Sequence, residues 1–119
     1  MSRGVVKQLT LWAAIVFAVV MATLPKPPAL PIDQFGDKFE HMLAFAVIAL
    51  LAALAYPGAR LTRIAERLSF LGALIEVVQS IPALHRDCDI FDWMADTASI
   101  IVMLSIVALV RWQRKSSRT

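Results

Sequence analysis

The sequence predicts an all-α protein: a polytopic membrane protein built as an antiparallel four-transmembrane-helix bundle. Three observations carry that expectation. The chain is 59% hydrophobic over 119 residues, with a mean hydropathy of +0.69, more apolar surface than a water-soluble domain of this size has core to hide. Apolar runs recur four times; three approach the length needed to cross a bilayer, and the third reaches it only if it extends over residues 61–81. The basic residues collect at alternate ends of those runs, as they do in a chain that threads back and forth.

The first helix is placed at residues 5–24, around "LTLWAAIVFAVVMATL". "PKPPALP" ends it, because proline removes backbone donors and biases the preceding residue to extended structure. Arg3 and Lys7, an apolar core and "VMA" would also suit a secretory signal peptide. The rest of the chain is equally membrane-like, however, and an even number of spans accommodates its charges, so this run is read as the first span. Ala14, Ala18 and Ala22 recur every four residues, a small-residue face that permits close helix packing. The second helix is placed at residues 39–56 and stops at Pro57-Gly58. The third, residues 61–81, has the shortest apolar stretch, "LSFLGALIEVV", and carries Gly72 and Ala73 as further small packing residues. The fourth, residues 90–110, ends in "RWQRKSSRT". Helices of these lengths, rising ~1.5 Å per residue, reach roughly 27–32 Å, about the hydrocarbon thickness. Short connections make neighbouring helices antiparallel, and the whole chain, 1–119, forms one domain without internal repeats. The single cysteine, Cys88, excludes an intramolecular disulfide and is read as a bystander.

Charge sets the orientation. Nine of the twelve bases (Arg3, Lys7, Arg60, Arg63, Arg67, Arg111, Arg114, Lys115 and Arg118) fall on one side, and Lys26, Lys38 and Arg86 on the other. All acids except Glu66 lie toward that second side. The positive-inside rule then puts both termini in the cytoplasm. Trp112 and Tyr56 at inner helix ends, and Trp93 near an outer one, are read as interfacial anchors. The net charge of +3 does not indicate nucleic acid, since the bases flank apolar spans and line no helix face.

Polar residues then mark one end of the bundle. The second helix enters from the outer side with Asp37 and His41 four residues apart, on one face. The third approaches it with Glu76 and Gln79, three apart. The fourth leaves it with Asp89, Asp92, Asp96 and Ser99 in a continuous stripe. Between them lies "PALHRDCD", with His85, Arg86 and Asp87. Glu76 sits about five residues below the expected end of its helix, roughly 8 Å deep. An aspartate at the centre of a membrane helix costs about 2.5–3.5 kcal/mol, less toward the ends, and such groups as a rule face the bundle interior and pair. Three stripes at one end predict a polar pocket at the outer membrane face. The bland reading is that these groups only hydrogen-bond helices together, for about 0.6–2 kcal/mol each.

"DKFEHMLAF", "GALIEVVQSIPALHRD" and "DWMADTAS" together resemble the VanZ-like family of small integral membrane proteins. The shared pattern is Asp-Lys with His three residues on, then Glu-x-x-Gln on a later helix, then an Arg, then Asp-x-x-Ala-(Asn or Asp)-Thr opening the last helix. The resemblance covers Asp37 to about Ser99, half the chain. It implies a site formed by Asp37, Lys38, His41, Glu76, Gln79, Arg86, Asp92, Asp96 and Thr97. Departures fall at Asp96, where the family often has Asn, at Ser99, where it has Gly, and at Leu84-His85, where a Pro-Gly commonly precedes the Arg. The family's namesake is associated with resistance to the glycopeptide teicoplanin, and most members have no established biochemical activity. The resemblance therefore implies a bacterial inner-membrane location, and action in the cell envelope on or with a lipid-linked or glycopeptide-type ligand.

The chemistry stays open at the level of sequence. As an enzyme, the chain would use Glu76 or Asp92 as a general base, His41 as acid or base, and Lys38 with Arg86 to clamp phosphate, helped by helix N-termini. No serine or cysteine nucleophile stands beside the histidine. Asp37, Glu76, Asp92 and Asp96 with His41 offer donors for a divalent cation, but no HExxH-like spacing is present and no metal ligand is assigned. As a binding module, the pocket would take a lipid head group, a glycopeptide-like ligand or a partner membrane protein. Proton or ion relay through Glu76 and Asp96 is disfavoured by four unbroken spans. The alternative is a non-catalytic scaffold or partner-binding protein whose buried polar cluster locks the helices. No cofactor or oligomeric state follows from the sequence.

Overall fold

A computed structural model describes residues 2–23, 37–81 and 90–117. They form four α-helices, and no strand occurs among them: α1 (Arg3–Thr23), α2 (Asp37–Ala55), α3 (Leu61–Gln79) and α4 (Ile90–Ser117). The helices lie within a few residues of the expected positions, with three differences. α2 begins at Asp37, two residues early, so the whole "DKFEH" segment is helical. α3 ends at Gln79, which leaves Glu76 three residues from the helix terminus, closer to the end than its expected depth. α4 runs to Ser117, because Trp-Gln-Arg-Lys continues the helix without a glycine or proline to stop it.

α2 is the central element. It packs most extensively on α4 and α1, and less on α3; α3 also packs on α4 and α1. One buried stripe runs down each helix at three- to four-residue spacing. It comprises Leu11 and Ala22 on α1, and Phe45, Ile48, Ala49, Ala52, Ala53 and Ala55 on α2. On α3 it is Ile64, Leu68, Gly72, Ile75, Glu76 and Gln79. On α4 it is Asp96, Ile100, Leu104 and Val107. The alanines of α2 let neighbouring backbones approach closely, and Ala14, Ala18 and Ala22 of α1 pack against this core as their spacing predicts. Gly72 marks a close approach of three helices: a Cβ there would lie 3.4 Å from both Phe45 and Trp93.

Side-chain hydrogen bonds join the helices in register. Ser99 Oγ donates to the Met42 carbonyl (2.7 Å), and Arg111 Nη2 to the Ala53 carbonyl (2.9 Å). These two bonds match the start of α4 to the start of α2, and its C-terminal part to the end of α2, so the two helices run parallel. Gln79 Nε2 donates to the Ala22 carbonyl (2.8 Å), which matches the ends of α3 and α1. Trp93 Nε1 donates to the Ser69 carbonyl (2.9 Å), and the Ser69 and Thr97 hydroxyls are 2.9 Å apart, tying the start of α4 to the middle of α3. Trp12 Nε1 donates to the Tyr56 hydroxyl (3.1 Å) between α1 and the end of α2. The result is an up-down-up-down bundle.

Polar side chains enter an otherwise apolar core at one end, while large apolar side chains cover much of the surface. Glu76, Gln79 and Asp96 are buried, whereas Trp12, Phe17, Phe70, Val77, Ile101 and Leu109 stand exposed on all sides but α2, where Leu43, Val47 and Leu54 do the same. Two helical stretches, Arg3–Thr23 and Ile90–Ser116, are long and apolar enough to cross a membrane; the apolar part of α2, Phe39–Ala55, is shorter.

Candidate functional site

The core stripes of α3 and α4 change from apolar to polar toward one end of the bundle, where α3 ends and α2 and α4 begin. Three expected site residues meet there. His41 of α2, Glu76 of α3 and Asp96 of α4 each offer a ligand-type atom, and these atoms all lie within 4.8 Å of one another. His41 is half-buried; Glu76 and Asp96 are 7% and 3% exposed. Each is placed by helix geometry: His41 lies one turn into α2, Glu76 occupies the α3 stripe after Gly72 and Ile75, and Asp96 stands one turn above Ile100. Among the described residues, Asp96 Oδ1 is buried without a hydrogen-bond partner. A carboxylate oxygen in that condition costs about 1–3 kcal/mol unless something satisfies it.

The other expected residues divide into groups. Gln79 is buried at 2% exposure, but its amide turns to α1 and caps a carbonyl of the last turn of that helix. Glu76 and Gln79 thus share one helix edge and serve two different interfaces. Thr97, one residue beyond Asp96, faces α3 and bonds Ser69. Asp92 is half-buried one turn before Asp96. Ser99 stitches α4 to α2 beside His41. Asp37 and Lys38 lie in the first turn of α2, with side chains outside the described residues, as are Arg86 and the rest of "PALHRDCD".

Trp93 differs from its expected role as an interfacial anchor. It is half-buried against Gly72, and its indole N–H is spent on the Ser69 carbonyl. Sequence reasoning also passed over Ser69; a lone hydroxyl inside "RLSFLGAL" was the available signal, since a polar side chain in an apolar helix seeks a partner helix.

Beside the cluster, an open cleft of about 400 Å³ runs between α3 and α4, lined by Ala73, Glu76, Val77, Ser80, Ile90 and Trp93. Glu76 therefore belongs to the polar cluster and also borders this apolar cleft. No family model, no curated protein and no solved structure matches this chain.

Proposed function

We propose that the chain is a four-span, VanZ-like integral membrane protein of the bacterial inner membrane, with both termini in the cytoplasm. In this reading a pocket at the outer membrane face receives the head group of a lipid-linked or glycopeptide-type envelope ligand. The observation that carries the reading is that Glu76, a member of the His41–Glu76–Asp96 cluster, also lines an apolar cleft between α3 and α4. A lipid-linked molecule has that same division: chains that suit Ala73, Val77, Ile90 and Trp93, and a polar head that suits the cluster.

Exposed apolar faces together with the buried Glu76 and Asp96 support the membrane placement, because ionisable side chains within membrane helices face the bundle interior while apolar ones face lipid. α3 is the helix whose span needs support. Its exposed charges Arg63, Glu66 and Arg67 gather in its first two turns, while Phe70, Leu74 and Val77 form an exposed apolar face along the rest. Long Arg side chains at a helix end reach the interface while their stems stay in lipid. The order and spacing of Asp37-Lys38, His41, Glu76, Gln79, Asp92, Asp96 and Thr97 support the family reading.

The locking role is favoured for part of the set. The Gln79 amide N–H and the Thr97 hydroxyl are on helix-to-helix bonds, so these residues hold the walls, and His41, Glu76 and Asp96 are the groups that converge where a ligand head group would sit. The test is a thermal-shift series in detergent on wild type and Glu76→Gln, with envelope lipid precursors and a glycopeptide as probes. A probe that stabilises wild type and not the variant supports the pocket. No shift with any probe, with Glu76→Gln itself several degrees less stable, assigns the whole cluster to folding.

A further inference from the structure

We propose that His41, Glu76 and Asp96 bind one divalent transition-metal ion, through an imidazole nitrogen and two carboxylate oxygens drawn from three helices. No motif marks this trio in the sequence, because its members lie 35 and 20 residues apart and meet only when α2, α3 and α4 pack.

Three features of the structure point to an ion. The ligand-type atoms lie within 4.8 Å of one another. Zinc binds nitrogen and oxygen at ~2.0–2.2 Å, which sets neighbouring ligands roughly 3–3.5 Å apart, so rotamer adjustments of about 1 Å would close the site. Secondly, Asp96 is 97% buried from solvent by its 3% exposure, and its Oδ1 has no hydrogen-bond donor among the described residues. A cation satisfies that oxygen and offsets two acidic groups held in one buried space. Thirdly, the surrounding contacts hold the three backbones in place. Ser99 bonds the Met42 carbonyl next to His41, Gly72 lets Phe45 and Trp93 close on α3, and Trp93 bonds Ser69.

The donor set chooses the metal class. Magnesium and calcium take oxygen-only cages, whereas imidazole suits zinc, iron, nickel and copper; one imidazole with two carboxylates fits zinc or manganese. Three protein ligands leave a coordination position for water or a ligand oxygen. The inference goes beyond the proposed lipid pocket and stands without it, since it rests on three side chains and is read by metal content alone.

The experiment uses the full chain, purified in detergent, stripped with chelator and titrated with zinc, manganese and cobalt. Expected are about one zinc ion per chain and a cobalt adduct with visible bands but no thiolate charge-transfer band. Losing a protein ligand should exceed the 10–100-fold loss that outer-shell changes produce, so Asp96→Asn and His41→Ala should weaken binding by more than about 100-fold. The double variant His85→Ala/Cys88→Ser, which removes the imidazole and thiol donors of the α3–α4 connection, should bind as wild type does. Should Asp96→Asn fail to fold, Asp96→His decides, because it keeps a ligand and should bind one ion with an altered cobalt spectrum. The proposal is overturned if stripped wild type takes up less than about a tenth of an equivalent, if Asp96→Asn and Asp96→His both bind cobalt with the wild-type affinity and spectrum, or if the double variant abolishes binding.

Discussion

Replacing Gln79 by leucine isolates one interaction that sequence alone could not place. Gln79 is 2% exposed and donates its amide N–H over 2.8 Å to the carbonyl of Ala22, the next-to-last residue of α1. That carbonyl is among the four at a helix C-terminus that lack an intrahelical partner. The bond therefore caps α1 from a helix 57 residues away in sequence. Leucine nearly preserves the volume and removes the donor. Interhelical hydrogen bonds in membranes average ~0.6 kcal/mol and reach ~1.7 kcal/mol, and an orphaned buried carbonyl adds its own cost of about 1–3 kcal/mol. Partial relaxation of the helix end reduces the second figure, so Gln79→Leu should destabilise the bundle by roughly 1–3 kcal/mol. Reversible unfolding in mixed micelles, followed by helical circular dichroism, measures this directly. A Gln79→Leu protein as stable as wild type, or more so, would refute the capping role and return Gln79 to the ligand pocket.

The remaining predictions concern the other bonds between helices. Arg111→Ala should cost about 1 kcal/mol, because the guanidinium caps the Ala53 carbonyl at the end of α2, and Arg111→Lys should recover part of it in the same unfolding assay. A double-mutant cycle of Ser69→Ala with Thr97→Val should give a coupling energy of about 0.5–1.5 kcal/mol; independent effects would mean that the two hydroxyls do not bond. Gly72→Ala should be tolerated, since its Cβ meets Phe45 and Trp93 at 3.4 Å, whereas Gly72→Leu should force α3 away from them and lower the yield of folded protein in size-exclusion chromatography.

The helices were legible because apolar run length and proline placement act locally. Pro57-Gly58 closes α2, and "PKPPALP" lies just beyond α1. Their ends were less so. α4 continues past Val110 because helix propensity, which Gln113, Arg114 and Lys115 supply, does not require apolar residues. The convergence of His41, Glu76 and Asp96 was visible as polar stripes at one end of three helices. Their separation from Gln79 and Thr97 was not. A three-residue step stays on one helix face but falls ~60° short of a full turn, and a one-residue step turns by ~100°, so which neighbour each side chain meets depends on packing. Trp93 shows the same limit: position near a helix end suited an anchor, but the close approach at Gly72 drew the indole inward.

The central claim is that a cluster buried between α2, α3 and α4 opens to the outer side of a four-span bundle. Labelling of the native Cys88, in the connection between α3 and α4, with a membrane-impermeant maleimide tests it most directly. In intact cells Cys88 should label from outside, whereas a cysteine at Ser2 in a Cys88→Ser background should label only after the membrane is opened. Labelling of Cys88 only after opening would contradict the outward-facing pocket: with the cysteine at position 2 likewise protected it would mean that α3 does not cross, and with that cysteine reactive from outside it would mean a bundle inserted the other way round.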